Sequence, residues 1–173
     1  MEVFIEYMVK RKKTPSDYLK VFGILLGGFV LMFFVTVFLS GVPFIGSFVL
    51  LMLAGIVYLM YYFVTSINLE YEYILTETDL DVDKIINTRR RKRLTTVNIR
   101  GVECFAKITS PELKRYSDNP KIKKIYACRD IKDEETNFVV YTSKDETKLL
   151  FFNPNQKITD RIKALNPQKT YLD

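Results

Sequence analysis

Five consecutive basic residues at positions 89–93 (RRRKR) are the strongest local feature of this sequence. Adjacent cations repel one another and are costly to bury, so the run must lie on a surface, at a hairpin tip or at the start of a strand. Three uses remain open: a solvated turn balanced by acids such as Asp81 and Asp83, contact with anionic lipid, or non-specific binding of phosphates. Nucleic acid is not expected, because the aromatic side chains on which bases stack are not interleaved with the run.

No pattern of residues predicts catalysis. The chain contains no histidine, which excludes histidine-based triads, histidine metal ligands and the usual proton shuttle at neutral pH. Cys104 and Cys128 lack the spacing of a paired-cysteine motif and are interpreted as reduced, buried apolar groups. Only Gly101 follows the apolar region, so a glycine-rich phosphate loop is absent. We therefore expect a protein that is not an enzyme, with no catalytic residue and no cofactor.

Three alternating aspartates resemble the beginning of a calcium-binding loop. Asp79, Asp81 and Asp83 have the right spacing, but the loop then needs glycine at its sixth position and an acidic ligand at its twelfth. Lys84 and Arg90 occupy those positions. The aspartates are therefore predicted to form the solvated face of a strand, and no metal site is expected.

A long uncharged region predicts the environment in which these residues lie. Residues 21–69 contain no charged side chain, whereas one membrane-spanning helix needs only about 20 apolar residues. We predict a helical hairpin over 21–67, with spans 21–39 and 48–67 and a reversal near 40–47. A signal peptide has a shorter apolar stretch, and a buried helical pair of a soluble protein normally carries a polar face. Both alternatives fit less well than two spans.

Charge bias predicts the orientation. Lys10–Lys13 and Lys20 precede the first span, and the reversal between the spans carries no charge. Basic residues near the ends of spans stay in the cytoplasm. The prediction is a cell-membrane protein with both termini cytoplasmic, and with its basic residues facing the anionic inner leaflet. The candidate lipid-contacting residues are Lys10, Arg11, Lys12, Lys13, Arg89, Arg90, Arg91, Lys92 and Arg93.

Small residues in the two spans are candidates for close helix packing. They are Gly23, Gly27, Ala54 and Gly55. Small side chains let helices approach in lipid, either within one hairpin or between two copies of the chain. The spans contain no ionisable residue, although ion and proton pathways usually have one. Transport by this chain acting alone is therefore not expected.

The remainder of the chain has the pattern of a β-domain closed by a helix. Alternating apolar residues predict about seven short strands, and a short helical turn is expected over 112–116. Ile158, Ile162 and Leu165 recur at helical spacing, which predicts a helix over 156–165 that is capped by Asn153 or Asn155. The strands lie at 69–76, 80–86, 94–100, 102–108, 122–128, 137–142 and 148–152.

Two stretches carry a resemblance to a known family. YEYILTETDLDVDKIINTRRRKRLTTVNIRGVE is similar to the opening of bacterial PH-like domains that lie beside paired membrane spans. With the opening MEVFIEYMVKRKKT and the exit YYFVTSINLEYEYILT, nearly the whole chain resembles a family of small two-span membrane proteins of Gram-positive anaerobes. The resemblance implies a membrane-anchored PH-like module and no specific functional residue.

The predicted fold is that of an α+β membrane protein. Residues 1–20 form a basic cytoplasmic segment, 21–67 the transmembrane hairpin, and 68–173 a cytoplasmic PH-like antiparallel β-barrel or sandwich with a C-terminal helix. The predicted function is a non-catalytic binding or scaffold module that engages a protein partner, its own copies or anionic head groups. The alternative is an accessory subunit of a larger transport or secretion complex, contacted through the hairpin.

Overall fold

A computed structural model describes residues 4–143 and 145–172 of the chain. The chain divides into two compact units. The first is helical and comprises Lys13–Asn68. The second is rich in β-strands and joins the chain before the helical unit to the chain after it. The N-terminal segment is therefore not a separate region, because its first part belongs to the β-domain.

The helical unit contains two helices, α1 (Pro15–Phe34) and α2 (Val49–Thr65). A π-helical turn continues α1 to Leu39, so the reversal falls where the sequence predicts it. Helix α1 begins six residues before the predicted span, at Pro15 rather than Val21. The cause is a capping interaction in which both the N–H and the hydroxyl of Thr14 donate to the Asp17 carboxylate, each at 2.9 Å.

The apolar side chains of both helices are largely exposed, Phe22 and Leu50 among them. The helical segments Pro15–Leu39 and Gly46–Thr65 are 25 and 20 residues long, which is long and apolar enough to cross a membrane. A core helix of a soluble protein buries one face instead. These two helices leave most of their apolar surface without a covering within their own unit.

The close approach between the two helices differs from the prediction. A Cβ added at Gly23, Gly27 or Gly55 would meet no atom within 4 Å, and Ala54 is exposed. At Gly28 an added Cβ would instead clash with the side chain of Met60. Gly28 is therefore the glycine of α1 that lies against α2, where the flexible Met60 side chain would have to shift, whereas a Cβ at Gly46 in the reversal would meet the backbone carbonyl of Ser40. Spacing alone indicates that small residues share a face, but not which face meets the other helix.

In its described residues, the β-domain contains nine strands and two α-helices. In chain order they are β1 (Phe4–Lys10), β2 (Leu69–Thr76), β3 (Asp79–Ile86), β4 (Arg90–Asn98), β5 (Val102–Lys107), α3 (Glu112–Ser117), β6 (Lys123–Ala127), β7 (Asn137–Ser143), β8 (Glu146–Phe152), α4 (Gln156–Leu165) and β9 (Thr170–Tyr171). The seven predicted strands are confirmed as β2 to β8, with differences at their ends. Helices α3 and α4 are confirmed, and Asn155 caps α4 by accepting from the N–H of Ile158 at 2.9 Å.

The strands form two sheets rather than a closed barrel. The first sheet has the order β1-β2-β3-β4 and is antiparallel throughout. The second has the order β6-β8-β7-β5-β9, in which β6 pairs with β8 and β5 with β9 in parallel. The wholly antiparallel prediction was wrong at these two pairs. Strand direction depends on long connections, such as the one that contains α3, and those leave no periodic signal.

Strand β1 was not predicted. It pairs with β2 over seven consecutive residues, from Phe4 opposite Thr76 to Lys10 opposite Glu70. Its inward residue Val9 is buried at 3% exposure, whereas Phe4 and Met8 on the other face are exposed. Because its outward face carries Phe4 and Met8 beside Glu6 and Lys10, the segment lacks the clean alternation of a half-buried strand.

The core lies between the two sheets and is closed by α4. Ile158 and Ile162 of α4 are fully buried in it, as the helical spacing predicted. A buried polar network also joins the sheets. The Tyr73 hydroxyl donates to the carbonyl of Ala127 and accepts from the N–H of Asn153, and the Asn153 side chain donates to Thr136 at 3.0 Å. Because these groups satisfy one another, the network fixes the position of one sheet against the other.

Candidate functional site

The basic run lies at the hairpin between β3 and β4. Ile86 pairs with Arg90, so residues 87–89 form the turn and the remaining basic residues begin β4. Asn87 and Thr88 both have positive φ, at 49° and 54°. Asparagine tolerates this conformation, whereas a β-branched threonine rarely adopts it. The run is therefore part of a defined hairpin, with side chains on both faces of the sheet.

Two of the five cations pair with acids on neighbouring strands. Arg91 donates to the Glu72 carboxylate at 2.8 Å. Arg93 pairs with Asp83, and also with Asp81 at 2.7 Å. These acids line the outer face of the first sheet, where the alternation of β2 and β3 places them beside the arginines. The balanced-turn interpretation therefore describes Arg91 and Arg93.

The other three cations remain unpaired. Within residues 4–143 and 145–172, Arg89, Arg90 and Lys92 make no ion pair, and all three are exposed. Lys92 lies opposite Lys84, which adds a fourth positive charge to the same side of the hairpin. Alternation along β4 thus separates the run into an acid-bound face and a free basic face.

The free basic face lies at the end of the sheet where the helical unit is attached. The N–H of Arg11 donates to the carbonyl of Leu69 at 3.0 Å, so the chain leaves and re-enters the β-domain at adjacent points. Leu69 in turn pairs with Ile86, the last residue before the turn. The hairpin tip and the attachment points therefore lie at the same end of the first sheet. Leu69 and Ile86 are 17 residues apart in sequence but pair directly in the sheet.

Two of the N-terminal cations predicted at this site lie near acidic side chains. Lys10 extends into solvent and lies 3.6 Å from Glu70. Lys12 lies 3.6 Å from Asp133 of the loop before β7. Arg11 also has an interaction partner, and Lys13 is exposed at the start of the helical unit. Among the predicted lipid-contacting residues of the β-domain, those left without an acidic partner in the described chain are therefore the three of the β3–β4 hairpin.

Glu72 is the most unusual acid near the site. Its side chain is almost completely buried, and its Oε2 has no hydrogen-bond partner in the part of the chain that the structure describes. Burial raises the pKa of Glu72, Arg91 lowers it, and the neighbouring Glu6 carboxyl raises it. Removing Arg91 would leave this carboxylate without its cation. The stability of the fold therefore favours keeping Arg91 paired with Glu72. The sequence did not reveal this pair, because the two residues lie 19 positions apart.

Both cysteines are buried on strands or beside them, as the sequence predicted. Burial raises the pKa of each thiol, Cys104 and Cys128, to about 11. Thiolate is therefore scarce at neutral pH, and neither thiol is a ready nucleophile. Among the described residues, no group of three histidine, cysteine, aspartate or glutamate side chains has a metal-binding arrangement.

Comparison with known proteins adds one match. No curated protein and no solved structure matches the chain significantly. A family model described as "Bacterial PH-like domain (DUF6106)" matches residues 1–172, which includes β1 and the helical unit as well as the two sheets. The match agrees with the resemblance in the β2–β4 region and with a C-terminal helix that closes a two-sheet core. The chain belongs to this bacterial PH-like domain family.

Proposed function

We propose that this protein is a membrane-anchored, non-catalytic binding module that holds its PH-like domain at the cytoplasmic face of the cell membrane. The observation that carries the proposal is the largely exposed apolar surface of two helices long enough to cross a membrane. An apolar surface of this size is unfavourable in water and favourable in lipid. The adjacent positions of Arg11 and Leu69 support the same proposal, because both ends of a two-span hairpin emerge on one side.

The topology is testable in cells. A reporter that is active only in the cytoplasm should work when it is fused to residue 1 or to residue 173, because Lys10–Lys13 favour the cytoplasmic side. A cysteine introduced at Val42, in the reversal, should react with a membrane-impermeant thiol reagent from outside. The native thiols should stay unlabelled, since both are buried. Labelling at the termini but not at Val42 would reverse the orientation, and extraction by carbonate would exclude the anchor.

We further propose that the free basic face of the β3–β4 hairpin contacts anionic head groups of the inner leaflet. Arg89, Arg90 and Lys92 carry this proposal because they are exposed and unpaired within the described chain, and lie at the attachment end of the sheet. Arg91 and Arg93 contribute less, since acids of the sheet already neutralise them. Each basic residue near an anionic surface contributes about 1 kcal/mol.

Replacing Arg89, Arg90 and Lys92 together by glutamine should weaken vesicle binding by about 3 kcal/mol, or roughly two decades in affinity. The measurement is co-sedimentation of the β-domain, with residues 1–12 joined to 69–173, on vesicles with and without anionic lipid. Binding should also fade between about 0.1 M and 1 M salt, as the Debye length falls.

A matched variant has the same change of charge at the exposed residues Lys114, Lys121 and Lys123. Lys123 lies opposite Lys148 where β6 begins, at the other end of the β6–β8 pair from Ala127 and Phe152. Lys121 shortly precedes β6, and Lys114 lies on α3. This variant should bind as the parent does. Equal losses of binding in the two variants would mean that only net charge matters. Equal binding of the parent domain to neutral and to anionic vesicles would contradict the contact with anionic lipid.

An accessory subunit of a larger membrane complex is the second candidate. It is favoured by the open space around Gly23, Gly27 and Gly55, which lie on helix surfaces where another helix can approach closely. Mild detergent extraction followed by affinity purification distinguishes the candidates. A stoichiometric complex that is lost when Gly23 and Gly27 become leucine supports the subunit. Purification of this chain alone, with lipid binding intact, supports the binding module.

A further inference from the structure

Strand β1 is an open edge of the first sheet. It pairs with β2 on one side, and among the described residues no strand lies on its other side. The pairing runs from Phe4 to Lys10 without a register shift. The side chains of Phe4 and Met8 are 64% and 54% exposed along this edge. The protein therefore presents a seven-residue strand with exposed apolar side chains and, among the described residues, no strand on its outer side.

The residues with the unused backbone groups can be identified. The N–H of Arg11 bonds to the carbonyl of Leu69, and hydrogen bonding alternates along an antiparallel pair. The odd-numbered residues of β1 therefore bond to β2. Glu6, Met8 and Lys10 direct their N–H and C=O groups away from the sheet. No hydrogen bond to these three residues' outward groups occurs within the described part of the chain, whereas the next N–H of the same row, that of Lys12, donates to the Arg129 carbonyl at 2.9 Å, so the open part of the edge ends at Lys10.

The other strand edges are protected against pairing. Edge strands usually avoid association by being short, by carrying lysine or other charges, or by having a bulge. Strand β4 carries the basic run and a register shift beside Asp83. Strand β9 has two residues, and β6 has five and begins with Lys123 and Lys124. Among the described edges, β1 is the longest without a register shift, and its two charged residues, Glu6 and Lys10, have opposite signs.

We propose that β1 pairs with β1 of a second copy of this chain, antiparallel and with Met8 opposite Met8 of that copy. This register places Glu6 opposite Lys10 of the second copy, and by symmetry Lys10 opposite Glu6. Opposite charges that face each other across strands are favourable, whereas like charges are unfavourable. Centring the pair on Glu6 would oppose two glutamates, and centring it on Tyr7 would place Glu6 opposite a methionine.

The start of β1 borders an open cleft. It has a volume of about 430 Å³ and lies beside Phe4, Ile5 and Glu6, and Asn155, Gln156 and Lys157 form its other wall. The proposed register directs the second strand, from Lys10 onward, to this cleft, where Glu6 is the acidic lining residue and Lys157 the basic one. The inference deepens the proposed scaffold function and rests on it, because it names a second copy as the partner that the module engages.

Cysteine cross-linking of the full chain in its membrane tests the register. Residues in a hydrogen-bonded antiparallel pair have Cα atoms about 5.5 Å apart, within the range of a disulfide. Met8→Cys should therefore form a cross-linked dimer under mild oxidation. Glu6→Cys and Lys10→Cys should each remain monomeric alone, yet form a mixed dimer when the two variants are co-expressed. Cys104 and Cys128 should not interfere, because both are buried.

Charge exchange provides the second arm of the test. In the Met8→Cys background, Glu6→Lys should reduce the cross-linked fraction several-fold by opposing two lysines. Adding Lys10→Glu should restore it. Glu134→Lys, an equal change at an exposed residue of a loop, should have no effect, and Glu134→Cys should not cross-link.

Two outcomes overturn the proposal. In one, Met8→Cys stays monomeric, and in the other Glu6→Cys cross-links to itself while Met8→Cys does not. Neither affects membrane extraction or vesicle binding, so failure of the strand pairing is distinguishable from failure of the proposed function. If the parent chain is a dimer but its charge variants behave alike, association occurs elsewhere and the β1 pairing is wrong.

Discussion

Residues 69–173 produced without residues 1–12 should fail to unfold cooperatively. Strand β1 supplies the neighbour of β2, and its Val9 is buried against the core. Its removal exposes Tyr71, Tyr73 and Leu75, each of which is now almost fully buried. Full burial of a large apolar side chain contributes about 1.5–3 kcal/mol. Several such losses approach the whole stability of a domain, about 5–15 kcal/mol.

Restoring β1 should restore the fold without the helical unit. Because the Arg11 N–H lies 3.0 Å from the Leu69 carbonyl oxygen, a short glycine-serine linker can replace residues 13–68. This joined domain should show a single cooperative transition by circular dichroism. The same protein with Val9→Asp is the control, and should behave like the truncated fragment because it buries a charge. Cooperative unfolding of residues 69–173 alone, at the same midpoint as the joined domain, would show that β1 is not part of the core.

Replacing Ile162 by aspartate should destabilise the joined domain by several kcal/mol. Ile162 lies on the inward face of α4 and is 0% exposed in the core between the sheets. The substitution removes apolar packing and brings an unpaired carboxylate into apolar surroundings. Chemical denaturation with the linear extrapolation method measures the free energy of unfolding, and we expect a lower midpoint with a similar slope.

Helix α4 offers a matched control for this variant. Lys163 is the next residue and is exposed, so Lys163→Asp introduces the same side chain on the solvent side of the same helix. That change should cost less than about 1 kcal/mol, mainly through the charge near the helix C-terminus. Equal destabilisation by the two variants would mean that helix propensity, and not packing, holds α4 in place. An unchanged Ile162→Asp protein would contradict the buried position of the helix.

Local sequence patterns predicted the elements that have the same environment along their whole length, either all round or on each face. An uninterrupted apolar segment gives the same signal whatever it packs against, so both long helices were predicted, and the largest difference is the start of α1. The spacing of Ile158, Ile162 and Leu165 similarly fixed α4 and its inward face. Tyr71 and Tyr73 alternate with Glu70 and Glu72, which identified β2. For α4 and β2, one buried face and one more exposed face generate the periodicity.

The candidate site was predicted only in part. The sequence indicated that residues 89–93 lie on a surface near the membrane exit, but offered a balanced turn and lipid contact as alternatives for the whole run. The structure divides the run instead, because successive residues of β4 point to opposite faces. Arg91 meets Glu72, 19 positions earlier, and Arg93 meets Asp83. Charge pairing of this kind depends on strand register, which composition does not encode.

The sequence by itself determined that this protein has two apolar helices, a β-rich domain of the bacterial PH-like family and a closing amphipathic helix. The strands and the closing helix follow from local periods of apolar residues, the two long helices from an uninterrupted apolar segment, and the family from a resemblance of sequence. All of these signals can be recognised without knowing which segments are neighbours in the fold. The tertiary structure decided that Phe4–Lys10 belongs to the β-domain, that two strand pairs are parallel, and which cations are free. These are properties of contacts between distant segments, and β1 reaches its partner only because the intervening helices return the chain to Leu69 beside Arg11.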